Sequence, residues 1–254
     1  MPQENNPKKH DEYVNIKESD TAVLFIHGII GTPRQFDFLI KEVPENYSVY
    51  NMLLSGHGKG VKDFSKTNMK NWEKEVKAAL TFLRKEHEKI YICAHSMGTL
   101  LAIDEILLDK SKIKGLLLLQ VPLYVKLAPK MLKDIFTILF GKVKERSSAY
   151  YTEKSYGIEK DRRLWLYLGW LPRYIELFIK KRKVRKSLNK IDSDLILKIQ
   201  AFQSKKDELV KLSSFKHLTE KTKIRTTLLN LSGHFHYVCA DEALIKENFN
   251  KMIK

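Results

Sequence analysis

Three side chains far apart in the chain have the types that acyl transfer requires: a hydroxyl, an imidazole and a carboxylate. The hydroxyl is Ser96, within Lys89-Ile90-Tyr91-Ile92-Cys93-Ala94-His95-Ser96-Met97-Gly98-Thr99-Leu100-Leu101. An apolar run ends there at small and polar residues, and a helix-compatible run begins at once. That pattern predicts strand, sharp turn and helix, with Ser96 on the turn. A side chain at such a turn is pushed out of the sheet's end on a strained backbone, which only small neighbours tolerate. Ala94 and Gly98 are small. A serine hydroxyl alone is a weak nucleophile, so the turn is useful only with a base, an acid to orient the base, and donors for an oxyanion.

Candidates for each stand at the ends of other apolar runs. His234 follows Leu231-Ser232-Gly233, with His236 as a rival two residues on. Asp207 lies in the polar stretch Ser204 to Glu208, with Glu208 beside it; Asp192 and Asp194 precede the nearest strand rather than follow it. His27-Gly28 closes another apolar run. His95 adjoins the nucleophile and reads as a packed residue beneath the turn, and His57, in Gly56-His57-Gly58, reads as structural. Ser, then Asp, then His is one of the known chain orders for a triad.

The elements that must position these groups alternate. Strands are predicted at Thr21 to Ile26, Tyr47 to Leu54, the run before Ser96, Ile113 to Val121, Leu195 to Gln203 and Arg225 to Leu231. Helices are predicted from Thr32-Pro33, over Asn71 to His87, after Ser96, over Leu209 to Thr219 and over Ala240 to Ile253. Residues up to about Ser19 read as a flexible lead-in. Strands apolar on both faces, alternating with helices, imply an α/β fold with a mainly parallel sheet covered on both sides. In such a sheet, functional groups gather at the carboxyl ends of the strands.

The rhythm breaks between Pro122 and Asp194. That interval is helical and aromatic in pattern, through Leu127, Met131, Ile135 and Phe136, then Leu164 to Leu168, Trp170, Leu171, Tyr174, Ile175 and Phe178. It reads as a helical cap, residues 122–194, inserted into a core made of residues 1–121 and 195–254. The cap holds 18 Lys and Arg against 8 Asp and Glu, which is ten of the chain's sixteen net positive charges.

Five stretches carry a family resemblance: Val23-Leu24-Phe25-Ile26-His27-Gly28, Leu54-Ser55-Gly56-His57-Gly58, Ala94-His95-Ser96-Met97-Gly98, Ser204-Lys205-Lys206-Asp207-Glu208-Leu209-Val210 and Leu231-Ser232-Gly233-His234. With them the chain resembles the α/β-hydrolase superfamily, and within it the bacterial carboxylesterase and monoacylglycerol lipase (serine aminopeptidase-like) branch. Ala94 stands where the family usually has the elbow's first glycine. The resemblance implies Ser96 as nucleophile, His234 as base and Asp207 as its orienting acid. It also implies an oxyanion hole from the backbone N–H groups of Ile29 and Met97. The reaction implied is hydrolysis of carboxylic esters of short-to-medium acyl chains through an acyl-enzyme. The motifs do not separate esters from amides, peptides or thioesters, and a non-catalytic binding protein on the same scaffold is the reading from another class.

Composition bounds the rest. The chain has 254 residues, 43% of them hydrophobic, enough for one large core. Two cysteines, Cys93 and Cys239, give neither a disulfide framework nor metal-ligand spacing. No cofactor is implied. Met1 to Asp20 lacks an apolar signal region, and no apolar run reaches the ~18 residues of a membrane span, so a cytoplasmic location is the default expectation. The basic, apolar cap also suits contact with an anionic membrane surface. No nucleic-acid motif accompanies the charge.

Overall fold

The computed structural model describes residues 10–126, 129–145 and 147–254. Of the expectations above, residues 1–9 of the lead-in, Leu127, and the side chains of Met131 and Ile135 lie outside what is described.

Seven strands form one sheet: β1 (Tyr13–Asn15), β2 (Thr21–Ile26), β3 (Ser48–Asn51), β4 (Lys89–His95), β5 (Ile113–Leu119), β6 (Ile199–Ser204) and β7 (Arg225–Leu229). Their order across the sheet is β1-β3-β2-β4-β5-β6-β7. All neighbours are parallel except β1, which runs antiparallel to β3. The mainly parallel sheet follows from strands with no polar face. Alternate residues of β2, β4, β5 and β6 enter two different cores. Leu24, Ile92, Leu116 and Leu118 pack on one side with Trp72, Leu80, Leu100 and Ile103. Phe25, Cys93, Leu117 and Phe202 pack on the other with Phe36, Leu39, Ile245 and Phe249. Helices α1 (Met69–Glu86) and α2 (Met97–Leu108) cover the first face, and the terminal helix, here α6 (Cys239–Ile253), covers the second. Trp72, Phe25, Phe64 and Phe202 are fully buried, each contributing about 1.5–3 kcal/mol or more.

Between β5 and β6 the described chain is helical: α3 (Pro129–Phe140), α4 (Ser148–Lys154), a 3-10 stretch at Leu164–Trp170, α5 (Leu171–Ser187) and a short helix at Ser193–Leu197. Trp170 anchors this region. Its indole is buried, meets Phe64 edge-on at 4.8 Å between ring centroids, and donates to the Val61 carbonyl at 3.1 Å. A second anchor is electrostatic. The Lys180 ammonium on α5 is 3% exposed and bonds Glu73 of α1 at 2.6 Å and Asp104 of α2 at 2.5 Å. Part of the insertion's positive charge therefore faces core carboxylates.

Three elements differ from expectation. The lead-in contains β1, a three-residue, mostly exposed edge strand too short to show alternation. The run 195–203 divides, because the Asp192 carboxylate caps the Leu195 amide at 2.8 Å, closing a helical turn before β6 begins at Ile199. The helix expected over 209–219 starts only at Ser213, since residues 209–211 pair with the chain at 124–126: Val210 bridges Val125, the Leu209 carbonyl accepts from Lys126 N at 2.7 Å, and Lys211 N donates to the Tyr124 carbonyl at 2.8 Å.

Candidate active site

Strand register brings the candidate groups to one edge. Ile26 of β2 stands opposite Ala94 of β4, so the His27-Gly28 and His95-Ser96 segments leave the sheet side by side. Ser204 of β6 stands opposite Leu229 of β7, so the segments leading to Asp207 and His234 also leave together.

Ser96 is the residue between β4 and α2, with φ 50° and ψ −120°, and it is 8% exposed. A non-glycine residue with positive φ carries roughly 1–3 kcal/mol of strain and persists only where its surroundings enforce it. Here the Ser96 amide is tied to the Leu119 carbonyl at 2.9 Å and its carbonyl accepts from Thr99 N at 2.9 Å. Gly98 permits the turn: a Cβ there would lie 2.1 Å from the Ile26 carbonyl oxygen. Ala94 is buried in the strand, its methyl group accommodated in the core.

His234 and Asp207 meet directly, His234 Nδ1 to Asp207 Oδ2 at 2.8 Å, both residues 2% exposed. The other carboxylate oxygen, Oδ1, accepts the amides of Leu209 at 2.7 Å and Val210 at 2.6 Å. Burial alone would raise the Asp207 pKa. The His234 ring and these two amides outweigh it and hold the carboxyl below its usual value. A carboxylate only accepts, so the Nδ1 proton stays on His234 and Nε2 is left with its lone pair for another group. Glu208 also grips His234, but at the main chain: its Oε2 accepts the His234 amide at 2.9 Å.

Ser96 and His234 approach through His95. His95 Nε2 donates to the His234 carbonyl at 3.1 Å, and the two rings meet at 4.9 Å between centroids. Among the described residues no hydrogen bond joins the Ser96 hydroxyl to the His234 imidazole. Catalytic contacts of this kind often close only when substrate is bound. Desolvation, followed by the neighbouring His234, lowers the His95 pKa to about 3. His95 is thus a neutral brace. His236, the rival base, stacks on Tyr151 at 3.7 Å, and Asp192 caps a helix.

The two expected oxyanion donors flank Ser96. A Cβ on Gly28 would sit 3.0 Å from the Ser96 Cβ, so the Gly28–Ile29 peptide adjoins the serine. Its carbonyl accepts from His27 Nδ1 at 2.8 Å and from Gly31 N at 3.0 Å. In a trans peptide the Ile29 N–H then points the opposite way. Among the described residues neither Ile29 N–H nor Met97 N–H donates to a protein acceptor. His27 is locked as the Nδ1–H tautomer, because its Nε2 accepts from Leu54 N at 3.0 Å. Burial lowers its pKa to about 4. His57 packs on His27 with 4.6 Å between centroids, buried and neutral, as a structural residue should be. Sequence reasoning did not find Tyr151, Ser155 and Gly157, which touch the loops around this site through a ring stack, a hydroxyl and a backbone amide; single contacts of this kind leave no periodic signal.

A surface groove of about 540 Å³ lies elsewhere, between Tyr50, Met52, Glu75 and Phe82, and none of its lining residues belongs to this set. Among the described residues no helix is long and apolar enough to cross a membrane.

The family model described as serine aminopeptidase, S33, matches residues 17–168, more than half of the chain. Among solved structures, the metagenome-derived lipolytic enzymes LipS and LipT give a match at TM-score 0.70 and 18% identity, covering 96% of this chain and 97% of that one. The monoacylglycerol lipase of Paleococcus ferrophilus matches at TM-score 0.65 and 16% identity, covering 96% and 98%. The monoglyceride lipase of Saccharomyces cerevisiae matches at TM-score 0.60 and 14% identity, covering 94% and 88%. No curated protein sequence matches. At these identities the likeness establishes the α/β-hydrolase fold, and with the family match it follows that the chain belongs to the serine aminopeptidase S33 family of α/β hydrolases.

Proposed function

We propose that this protein is a serine hydrolase that cleaves carboxylic esters of short-to-medium acyl chains, monoacylglycerols among them. Ser96 attacks the ester carbonyl and His234 Nε2 takes its proton. Asp207 steadies the imidazolium, and the amides of Ile29 and Met97 receive the oxyanion. His234 then protonates the leaving alcohol, and water activated at the same nitrogen releases the acid. No cofactor enters this sequence. The observation that carries the reading is the buried His234–Asp207 pair at 2.8 Å, linked through the neighbouring His95 to a serine held at φ 50°. The lipase and esterase names of the structural neighbours agree with it.

The helical insertion, residues 122–194, acts as a cap over the acyl site. Its outer face also favours a membrane contact. Trp165, Leu168, Leu171, Ile175 and Ile179 are each more than half exposed, and their spacing puts them along one side of the stretch ending in α5. Arg182, Arg185 and Lys186 follow on the same helix. An apolar ridge beside basic residues suits an anionic lipid surface.

The test is turnover of p-nitrophenyl esters from acetate to decanoate by the wild type and by Ser96→Ala. The reading expects loss of turnover in a variant that stays folded; full residual turnover would remove it. Thioester and aminoacyl-amide substrates belong in the same series, because one structural neighbour is a thioesterase domain, and a preference for either would change the bond assigned. Sedimentation with phosphatidylglycerol and phosphatidylcholine vesicles at two salt concentrations tests the ridge separately. Binding unaffected by lipid charge and salt would discard the electrostatic part.

A further inference from the structure

The segment Tyr151–Glu159, from the middle of α4 onward, reaches the loops around the serine at several points. The Gly157 amide donates to the Ile30 carbonyl at 2.7 Å, and the Gly157 carbonyl accepts from Gly58 N at 2.6 Å. Glu159 N donates to the Lys59 carbonyl at 2.8 Å. On the other side, Ser155 Oγ donates to the Phe235 carbonyl at 3.2 Å, and the Tyr151 ring lies flat on His236 at 3.7 Å and 8°. One strap therefore holds both the turn 28–31, which carries the Ile29 amide, and the loop 233–238, which carries His234.

The turn needs holding. Ile30 has φ 51°, and the Gly28 carbonyl to Gly31 amide bond makes it the third residue of a β-turn. That position at positive φ belongs to glycine or asparagine, and a β-branched side chain there is an outlier that only its surroundings can enforce. The Gly157 amide grips the carbonyl of this strained residue. The approach is so close that a Cβ on Gly157 would fall 1.8 Å from the Gly31 carbonyl oxygen.

We propose that Tyr151, Ser155 and Gly157 are positioning residues for ester hydrolysis, setting the Ile29 oxyanion donor against the His234 base. The inference rests on the function proposed above. It makes the insertion part of the catalytic frame as well as a cover. None of the three touches the reacting atoms; they act through the main chain of Ile30, Phe235 and the ring of His236.

The experiment compares p-nitrophenyl butyrate kinetics of wild type, Gly157→Ala, the pair Tyr151→Leu with Ser155→Ala, and the conservative pair Tyr151→Phe with Ser155→Thr. Circular dichroism and Tm report folding. A mispositioned donor lowers kcat rather than raising KM, so Gly157→Ala should approach the ~10²–10³-fold loss of kcat that follows removal of an oxyanion donor. The Leu/Ala pair should lose about tenfold in kcat at nearly constant KM, because two contacts go and the Gly157 clip remains. The Phe/Thr pair keeps the stack and the hydroxyl and should restore most of the rate. Should Gly157→Ala fail to fold, the two pairs decide. A folded Leu/Ala pair with wild-type kcat, or with only a raised KM, would overturn the proposal while leaving the hydrolase reading intact. A wild type inert both to esters and to a fluorophosphonate would remove the reading beneath it.

Discussion

The His95 imidazole donates to the main-chain oxygen of His234 at 3.1 Å, across 139 positions of sequence. The residue before the candidate nucleophile thus holds the loop of the candidate base. This contact joins the end of β4 to the loop after β7, strands that are three positions apart in the sheet. It explains why a histidine precedes Ser96 without serving as a base. Its Nε2 is committed to the His234 carbonyl, and burial keeps the ring neutral.

Asp207→Asn should preserve the fold and lose activity. An amide in place of the carboxylate can still accept from His234 but no longer stabilises an imidazolium, and it can instead favour the wrong tautomer. The expected fall in kcat is about 10³–10⁴-fold, with KM nearly unchanged. A loss of less than tenfold in a folded variant would mean that Asp207 is not the orienting acid.

Acid should weaken the fold well above pH 4. His27 and His95 have folded-state pKa values of about 4 and about 3, burial being the largest cause for both. Unfolded, each titrates near ~6.5. Between those limits the unfolded chain binds more protons, so stability falls as pH drops, and the slope ends below the folded values. The two together should remove up to about 4 kcal/mol between pH 7 and pH 5, read by urea unfolding. The depressed Asp207 acts in a lower window: its contribution is present above its unfolded value of 3.8 and disappears as pH falls through the folded one. Equal stability at pH 7 and pH 5 would contradict the burial of neutral imidazoles.

Gly98→Ala should damage folding more than chemistry. The added methyl would lie 2.1 Å from the Ile26 carbonyl oxygen and 2.7 Å from that of His27, both backbone atoms of the strand end beside Ser96. Overpacking against backbone should cost about 3 kcal/mol. A variant with wild-type Tm would show that α2 can move away from β2 at little cost.

Much of this arrangement was legible in the sequence, and the exceptions have physical causes. The Ser96 turn is a local signal, an apolar run meeting a helix across small residues, and it reads directly. The sheet reads because its strands are buried on both faces. Asp207 and Glu208 are not separable by composition; both hold His234, one at the ring and one at the amide, and only the path of the loop decides which. β1 is too short for a pattern. The clip at Gly157 works through main-chain groups, so its sequence shows nothing beyond a lone glycine between Tyr156 and Ile158.

Lys180→Met should loosen the insertion. The substitution leaves Asp104 and Glu73 without their buried partner, although Lys183 still reaches Asp104 at 2.9 Å. Both carboxylates keep some solvent, so the loss should lie near the lower end of the ~3–5 kcal/mol typical of a broken buried pair. Limited proteolysis should then cut within residues 122–194 before the core. Unchanged proteolysis and Tm would show that Trp170, Val184 and the Arg173 and Glu176 contacts suffice to dock α5 without Lys180.

Activation of the Ser96 hydroxyl is read by intact-mass analysis after treatment with a fluorophosphonate. One adduct is expected on the wild type, mapped by peptide sequencing to Ser96, absent in Ser96→Ala and formed far more slowly in His234→Ala. No adduct on folded wild type, an adduct on another residue, or equal labelling without His234 would contradict it.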